Sequence, residues 1–185
     1  MSSIDDNIRN AMKIVRKTQE NIQKLLNHCK NLAKSDKVGY ELLTEKFLRY
    51  SSDPNYWGWT FGVFALVFKG KDNVQNTLYV IEIDLDYSII NAAKYIYNAP
   101  IDFERYISPS DWSKYGEPLR NDDENFIHEH LNDFKKSIPK SDDVSKKYLG
   151  INHALFAEFP LSEINAGNIQ EKIFGTFDKL AALKS

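Results

Sequence analysis

The sequence predicts an α+β fold, in which a long N-terminal helix and further helices pack around a small antiparallel sheet made of a β-hairpin and a third strand. Three observations predict this fold. Apolar residues recur at helical spacing through the first 34 residues, and apolar and acidic residues then alternate between Thr77 and Tyr87. Helical spacing returns in short pieces after Ser88.

The composition is that of an ordinary globular protein of 185 residues, with 42% hydrophobic and 27% charged residues. We therefore expect a single domain over residues 1–185, in which residues 1–50 form a helical arm or hairpin and residues 51–185 form the sheet-containing body. The net charge of -2 argues against attraction of the whole molecule to polyanions. The single cysteine excludes a disulfide framework and a cysteine-rich zinc site.

The sequence predicts neither a membrane span nor a secretory signal. The longest stretch without a charged residue, Pro54 to Phe68, has 15 residues, which is too short to cross a bilayer. The first residues carry acidic side chains where a signal peptide carries basic ones. We expect a soluble, cytoplasmic protein with no membrane partner.

The N-terminal helix is predicted from a heptad pattern, because apolar residues alternate at spacings of three and four. The positions that carry this pattern are Ile8, Ala11, Val15, Thr18, Ile22, Leu25, Cys29 and Leu32. Gly39 ends the helix, and Tyr40 to Tyr50 is predicted to form a second, shorter helix with its apolar residues on one side.

The sheet is predicted from two apolar runs joined by a polar connection. Trp57 to Lys69 is rich in aromatic and β-branched residues, and Thr77 to Tyr87 alternates between apolar and acidic residues, so the two runs predict a β-hairpin. Ile151 to Phe159 predicts the third strand, although a buried helix would show the same apolar run.

The remaining segments are predicted to be helical. Ile89 to Asn98 and Asn121 to Ile138 show helical spacing, and the second of these has acidic residues at its start and lysines near its end. Ser141 can cap a short helix that ends at Gly150. A last helix, beginning near Asn168, is expected to turn Ile169, Ile173, Phe177 and Leu180 inward.

Basic side chains lie on the outer face of the first helix, away from its apolar seam. Residues 1–50 hold ten basic and six acidic residues, whereas the rest of the chain holds fourteen and twenty. The candidate binding residues on this face are Arg9, Lys13, Arg16, Lys17 and Lys24. A solvated outer face is the simpler interpretation. The functional one is a positive stripe for phosphates or for an acidic partner.

The apolar seam of the first helix also permits two interpretations. A homodimeric coiled coil would bury it between two copies, but Thr18 and Cys29 at core positions would make a weak seam. Packing against the chain's own second helix and sheet would bury the same residues, and the extra apolar residues Met12, Leu26 and Ala33 favour this wider contact.

A row of acidic residues, Glu82, Asp84 and Asp86, is the candidate metal site. Alternate residues of a strand share one face, so three carboxylates would stand together, and Mg²⁺ or Mn²⁺ would relieve their repulsion and activate water for hydrolysis. The alternative is the solvated polar face of a half-exposed antiparallel strand, which predicts the same alternation.

Three aromatic residues, Tyr56, Trp57 and Trp59, lie close to Gly58 and Gly62 and could form a stacking surface for bases or sugars. Core packing is the more common role of such residues. The chain contains no P-loop, no dinucleotide-binding glycine motif and no G-x-S-x-G elbow, which argues against the enzyme classes that depend on them.

The leading hypothesis is a small intracellular, non-enzymatic binding protein that associates with a macromolecular partner, with an unidentified protein favoured and a homodimer as a further option. It needs no cofactor. The first alternative is a nuclease-like hydrolase that uses Mg²⁺ or Mn²⁺ at Glu82, Asp84 and Asp86. The second is an accessory nucleic-acid binder that uses the basic N-terminal helix.

Overall fold

One antiparallel sheet organises the fold. The computed structural model describes residues 4–35, 37–44, 48–51, 61–70 and 74–183. The strands are β1 (Tyr40–Leu42), β2 (Leu48–Ser51), β3 (Phe61–Gly70), β4 (Thr77–Asp84), β5 (Ile89–Tyr97), β6 (Phe126–Leu131), β7 (Phe134–Pro139) and β8 (Ile151–Pro160). Their order is β1-β3-β4-β5-β8-β7-β6, and β2 pairs with the same edge of β3 as β1, so eight strands fill seven positions.

The helices differ greatly in length. They are α1 (Ile4–Lys34), α2 (Ser113–Gly116), α3 (Asp142–Lys147) and α4 (Gly175–Ala182). A π-helical turn, Gln170–Phe174, leads directly into α4. Single 3₁₀ turns occupy Phe103–Tyr106, Pro109–Trp112, Glu117–Leu119 and Leu161–Glu163.

The α+β class and the long N-terminal helix are confirmed, whereas the prediction of a small sheet, a hairpin with a third strand, is wrong. Three segments that we predicted to be helical contain strands instead. Tyr40–Tyr50 contains β1 and most of β2, Ile89–Asn98 contains β5, and Asn121–Ile138 contains β6 and most of β7. The strands predicted around residues 57–69 and 77–87 pair as β3 and β4 in the middle of a much larger sheet.

Physical reasons explain these errors. Both faces of β5 are covered, so apolar residues occupy successive positions and the spacing imitates a buried helix. The strands β6 and β7 join through a two-residue turn at Asn132 and Asp133, and Asn132 has a positive φ of 54°. Such turns favour asparagine and aspartate at this conformation, and this signal was hidden within a segment with helical spacing.

Apolar cores cover both faces of the sheet. The first core joins α1, the sheet and the C-terminal helical segment through Leu26, Cys29, Phe64, Phe68, Tyr79, Ile81, Ile173 and Phe177. The second core lies under residues 103–119 and includes Leu48, Val67, Leu78, Val80, Tyr95, Tyr115, Leu119, Tyr148 and Phe156. The central strands are therefore buried on both sides.

The two halves of α1 have different environments. The second half buries Ile22, Leu26 and Cys29 against the sheet, which confirms packing within one molecule for this half. Residues 4–17, which we call the projecting arm, have no residue in either core. Ile4 and Ile8 on the arm are 78% and 58% exposed.

Local predictions in the last third of the chain are confirmed. The Ser141 hydroxyl accepts a hydrogen bond from the Val144 N–H and caps α3, and the strand predicted over Ile151–Phe159 is β8. In the final helical segment, Ile169, Ile173, Phe177 and Leu180 are all buried, as predicted.

Because α1 packs on the sheet, we expect a cavity made in this contact to lower the free energy of unfolding. We expect Leu26→Ala to lower the free energy of unfolding by about 2–4 kcal/mol, because Leu26 is fully buried in the first core. Chemical denaturation followed by circular dichroism measures the loss. The control is Ile8→Ala on the same helix, and an equal loss for both variants would contradict the packing described.

Candidate functional site: an acidic pocket beside β4

Burial of β4 places two carboxylates inside the protein. Every residue from Thr77 to Asp84 is buried, and the side chains of Glu82 and Asp84 are only 1% and 2% exposed. The interpretation of this row as a solvated strand face is therefore wrong. The strand faces water on neither side, because both sides of the sheet are covered.

Asp86 does not continue the row. The strand ends at Asp84, and Asp86 lies in the following turn, where its backbone N–H donates to Asp84 Oδ1 at 2.9 Å. The Asp86 carboxylate lies beside Gly62, where an added Cβ would be 3.1 Å from its nearer oxygen. The predicted group of three carboxylates is thus reduced to two on the strand face.

Glu82 has one partner and one unpaired oxygen. Asn91, opposite Glu82 on β5, donates from Nδ2 to Glu82 Oε2 at 2.9 Å. Glu82 Oε1 and Asn91 Oδ1 are both buried, and neither has a hydrogen-bond partner in the described part of the chain. A buried polar atom without a partner costs about 1–3 kcal/mol, so two adjacent ones mark an unusual place in a protein interior.

A glycine makes room for the Glu82 side chain. Gly116 lies at the end of α2, and a Cβ added to it would be 2.6 Å from Glu82 Oε1 and 3.2 Å from the Trp112 ring. Gly116 has a φ of -100°, which any residue adopts. Space for the carboxyl group, and not backbone conformation, is therefore what requires glycine here.

A cavity of about 260 Å³ opens beside these residues, and we call it the Glu82 pocket. Its polar lining consists of Glu82, Asp84, Tyr87, Asn91, Arg120, Asn121, Asp122 and Glu158. These side chains come from β4, the turn between β4 and β5, β5, β8 and the segment that follows Leu119. Sheet register explains the grouping, because Glu82 is opposite Asn91 and Asn91 is opposite Glu158.

Arg120 supplies positive charge at the pocket. Its Nη2 lies 3.9 Å from Asp84 Oδ2, its Nε lies 3.7 Å from Asp122 Oδ1, and its guanidinium carbon lies 5.6 Å from the centre of the Tyr87 ring. The Tyr87 hydroxyl donates to Asp122 at 2.8 Å. The guanidinium is thus held by ion pairs longer than hydrogen-bond distance, with an aromatic ring beside it.

The surroundings of the pocket shift the pKa values of two of its carboxyl groups. Burial raises the pKa of Glu82 to about 8, so its carboxyl group is mostly protonated at neutral pH. Burial also raises the pKa of Asp84, although the Tyr87 and Asp86 N–H groups and the Arg120 guanidinium oppose the rise. Glu158 is paired with Lys135 at 2.9 Å.

The other predicted site residues lie elsewhere. Arg9, Lys13, Arg16, Lys17 and Lys24 are exposed along α1 and do not line the pocket. Tyr56, Trp57 and Trp59 lie outside the described residues. Within the described ranges, no group of three histidine, cysteine, aspartate or glutamate side chains is arranged to hold a metal ion.

Sequence reasoning missed Asn91, Arg120 and Glu158. Asn91 and Lys94 are the two polar residues in the apolar run Ile89–Tyr97, and the interruption at Asn91 was a local signal for this site. Arg120 and Glu158 belong to segments distant in sequence, and only the pairing of β5 with β8 brings Glu158 close to Asn91.

Comparisons with protein-family models, with curated proteins and with solved structures give no match to this chain. Each helix that the structure describes is too short or too polar to cross a bilayer.

The protonation of Glu82 predicts a pH-dependent effect of Glu82→Gln. Below about pH 4.5 the folded and unfolded chains both keep the proton, so the variant and the wild type should differ little from this cause. Between pH 4.5 and 8 the unfolded wild type ionises while the folded protein does not, so the wild type loses stability relative to the variant.

The difference in the free energy of unfolding between Glu82→Gln and the wild type should therefore grow towards pH 8 and then level off. It should reach up to roughly 5 kcal/mol, at 1.36 kcal/mol per pKa unit. Urea denaturation at a series of pH values measures it. The control is Glu129→Gln, which changes an exposed carboxylate on β6. A gap that is the same at every pH would contradict a protonated Glu82.

The space at Gly116 predicts a steric effect. Gly116→Ala should lower the free energy of unfolding by about 1–3 kcal/mol, because its Cβ would displace Glu82 or Trp112. The control is Gly39→Ala, where an added Cβ meets nothing within 4 Å. Thermal unfolding compares the two variants, and an unchanged melting temperature for Gly116→Ala would contradict the contact.

Proposed function

We propose that this protein is a binding protein that holds a small cation in the Glu82 pocket. The observation that carries the proposal is the pair of unpaired oxygens, Glu82 Oε1 and Asn91 Oδ1, on two buried side chains that line one cavity. A bound ligand would give these atoms the partners that the chain does not provide.

The charge around the cavity favours a cation as this ligand. Besides the protonated Glu82, three acidic residues line it, Asp84, Asp122 and Glu158, whereas Arg120 is the one basic residue in the lining that the structure describes. Oxygen atoms are the preferred ligands of Mg²⁺, Ca²⁺ and Mn²⁺, and they also accept hydrogen bonds from ammonium groups. A metal ion or a small organic ammonium ion shares this chemistry.

Binding is better supported than nucleophilic catalysis. The lining that the structure describes contains no serine, cysteine or histidine, the side chains from which most activated nucleophiles and their bases are built. A macromolecular partner would contact a different surface, the projecting arm of α1.

A divalent-metal hydrolase is the second candidate, because Glu82 and Asp84 line the same cavity. Asp86 would not be a ligand in this arrangement, and Asn91 Oδ1 would take its place beside the two carboxylates. The ion would be Mg²⁺ or Mn²⁺, and its role would be to activate a water molecule for hydrolysis.

Thermal unfolding with MnCl₂, CaCl₂ or putrescine tests the binding function. We expect one of these cations to stabilise the wild type, by about 2.7 kcal/mol at a hundredfold excess over the dissociation constant. Asp84→Asn should abolish the response. Asp143→Asn is the control, because the Asp143 side chain is 95% exposed on α3. The proposal fails if no cation shifts the wild type, or if Asp84→Asn responds equally.

The pH dependence of binding distinguishes a metal ion from an organic ammonium ion. Hydrolytic turnover distinguishes a hydrolase from a binding protein. Mn²⁺ at Glu82 must displace its proton, so its affinity should rise from pH 6 to pH 8, and calorimetry in two buffers should record proton release. Hydrolysis of bis-p-nitrophenyl phosphate that requires Mn²⁺ and is lost in Asp84→Asn would establish the hydrolase instead. Binding without turnover supports the binding protein.

A further inference from the structure

The Glu82 pocket contains an unpaired hydrogen-bond donor as well as unpaired oxygens. The Nε atom of Arg120 is buried and, like Asn91 Oδ1, has no hydrogen-bond partner in the described ranges. Both residues line the same cavity. An amide oxygen only accepts hydrogen bonds and a guanidinium nitrogen only donates them. A ligand that pairs both atoms must therefore carry one group that donates and one that accepts.

The two carboxylates beside Arg120 accept hydrogen bonds from other groups. Asp84 Oδ1 accepts from the backbone N–H groups of Asp86 and Tyr87, at 2.9 and 3.3 Å. Asp122 Oδ2 accepts from the Tyr87 hydroxyl at 2.8 Å. The guanidinium lies 3.9 Å from Asp84 Oδ2 and 3.7 Å from Asp122 Oδ1, which is beyond hydrogen-bond distance. Its planar set of N–H groups thus remains able to bind a ligand carboxylate through two parallel hydrogen bonds.

The accepting and donating ends of the pocket lie close together. Glu82 and Asp84 are alternate residues of β4, so their Cα atoms are about 6.5 Å apart. Asn91 is opposite Glu82 in the sheet, and Arg120 lies beside Asp84. Hydrogen bonds of about 2.9 Å at each end take up most of this distance. The donating and accepting groups of the ligand must therefore be separated by few bonds, as the ammonium and carboxylate groups of an α-amino acid are.

The volume of the cavity and its apolar lining limit the rest of the ligand. The volume of about 260 Å³ corresponds to roughly nine water molecules at about 30 Å³ each. Besides its polar groups, the lining includes the apolar side chains of Ile89 and Leu119. An α-amino acid with an aliphatic side chain and about nine non-hydrogen atoms, such as leucine, matches both the volume and the lining.

We propose that the Glu82 pocket binds a free aliphatic α-amino acid, with its ammonium group at Asn91 and Glu82 and its carboxylate group at Arg120. This inference rests on the proposed function, because the ammonium group is the cation that the pocket holds. It selects an organic ammonium ion over a metal ion. It also adds a second recognised group, the carboxylate, which the proposed function does not require.

Isothermal titration calorimetry of the full chain with three matched compounds tests the proposal. L-Leucine carries both groups, 3-methylbutylamine lacks the carboxylate, and 4-methylpentanoate lacks the ammonium. We expect leucine to bind about tenfold or more tightly than the amine, because it adds a charge-assisted pair with Arg120. The acid should bind more weakly than leucine, because it leaves Asn91 Oδ1 without a donor.

Variants of Arg120 test which residue holds the carboxylate. Arg120→Gln should remove the preference, so that leucine and the amine bind equally. Arg120→Lys keeps the charge but loses the planar set of donors, so it should lose part of the preference, and it decides the test if Arg120→Gln does not fold. Arg105→Gln is the control, because the Arg105 side chain is 77% exposed and does not line the pocket. Circular dichroism checks that each variant is folded.

The outcomes separate this inference from the proposed function. If Mn²⁺ or putrescine stabilises the protein in a manner that depends on Asp84, while leucine binds no better than the amine, the inference is wrong and the proposed function stands. The inference is also wrong if the folded Arg120 variants bind leucine as tightly as the wild type. If neither the cations nor leucine bind, both fail. Leucine binding that Arg120→Gln weakens and Arg105→Gln preserves supports the inference.

Discussion

The burial of β4 on both faces is the constraint on which the rest of the structure depends. A strand at the centre of a covered sheet cannot expose its polar side chains, so each one needs a partner inside the protein or a changed ionisation state. Glu82 shows both responses, since Asn91 donates to one of its oxygens and the carboxyl group keeps its proton. The pocket lies where the helical cover of this face ends, just beyond Leu119.

Predictions from the sequence succeeded where the signal was local. The heptad spacing of α1, the serine cap of α3 and the inward residues of the last helix each depend on contacts within a few turns. They failed where contacts between segments distant in sequence determine the secondary structure. The segment containing β5 has the composition of a buried element, and only its pairing with β4 and β8 makes it a strand.

The candidate site was predicted in part, for a reason that was half correct. Alternation along residues 77–87 identified Glu82 and Asp84 as sharing one face of a strand, and the structure agrees. The same alternation is typical of a strand with one solvent-exposed face, whereas both faces of this strand are covered. Whether a second layer covers a strand depends on segments such as residues 103–119, whose position no local pattern reveals.

The pairing of β5 with β8 has a consequence for how the chain folds during synthesis. Between Tyr97 and the end of β8 the ribosome must add 63 residues, from Asn98 to Pro160, which takes roughly 3 to 13 seconds at 5–20 residues per second. Throughout this interval the free edge of β5 exposes unpaired backbone groups next to an apolar surface. An edge of this kind can pair with a strand of another chain, and the pairing of β5 with β8 closes it.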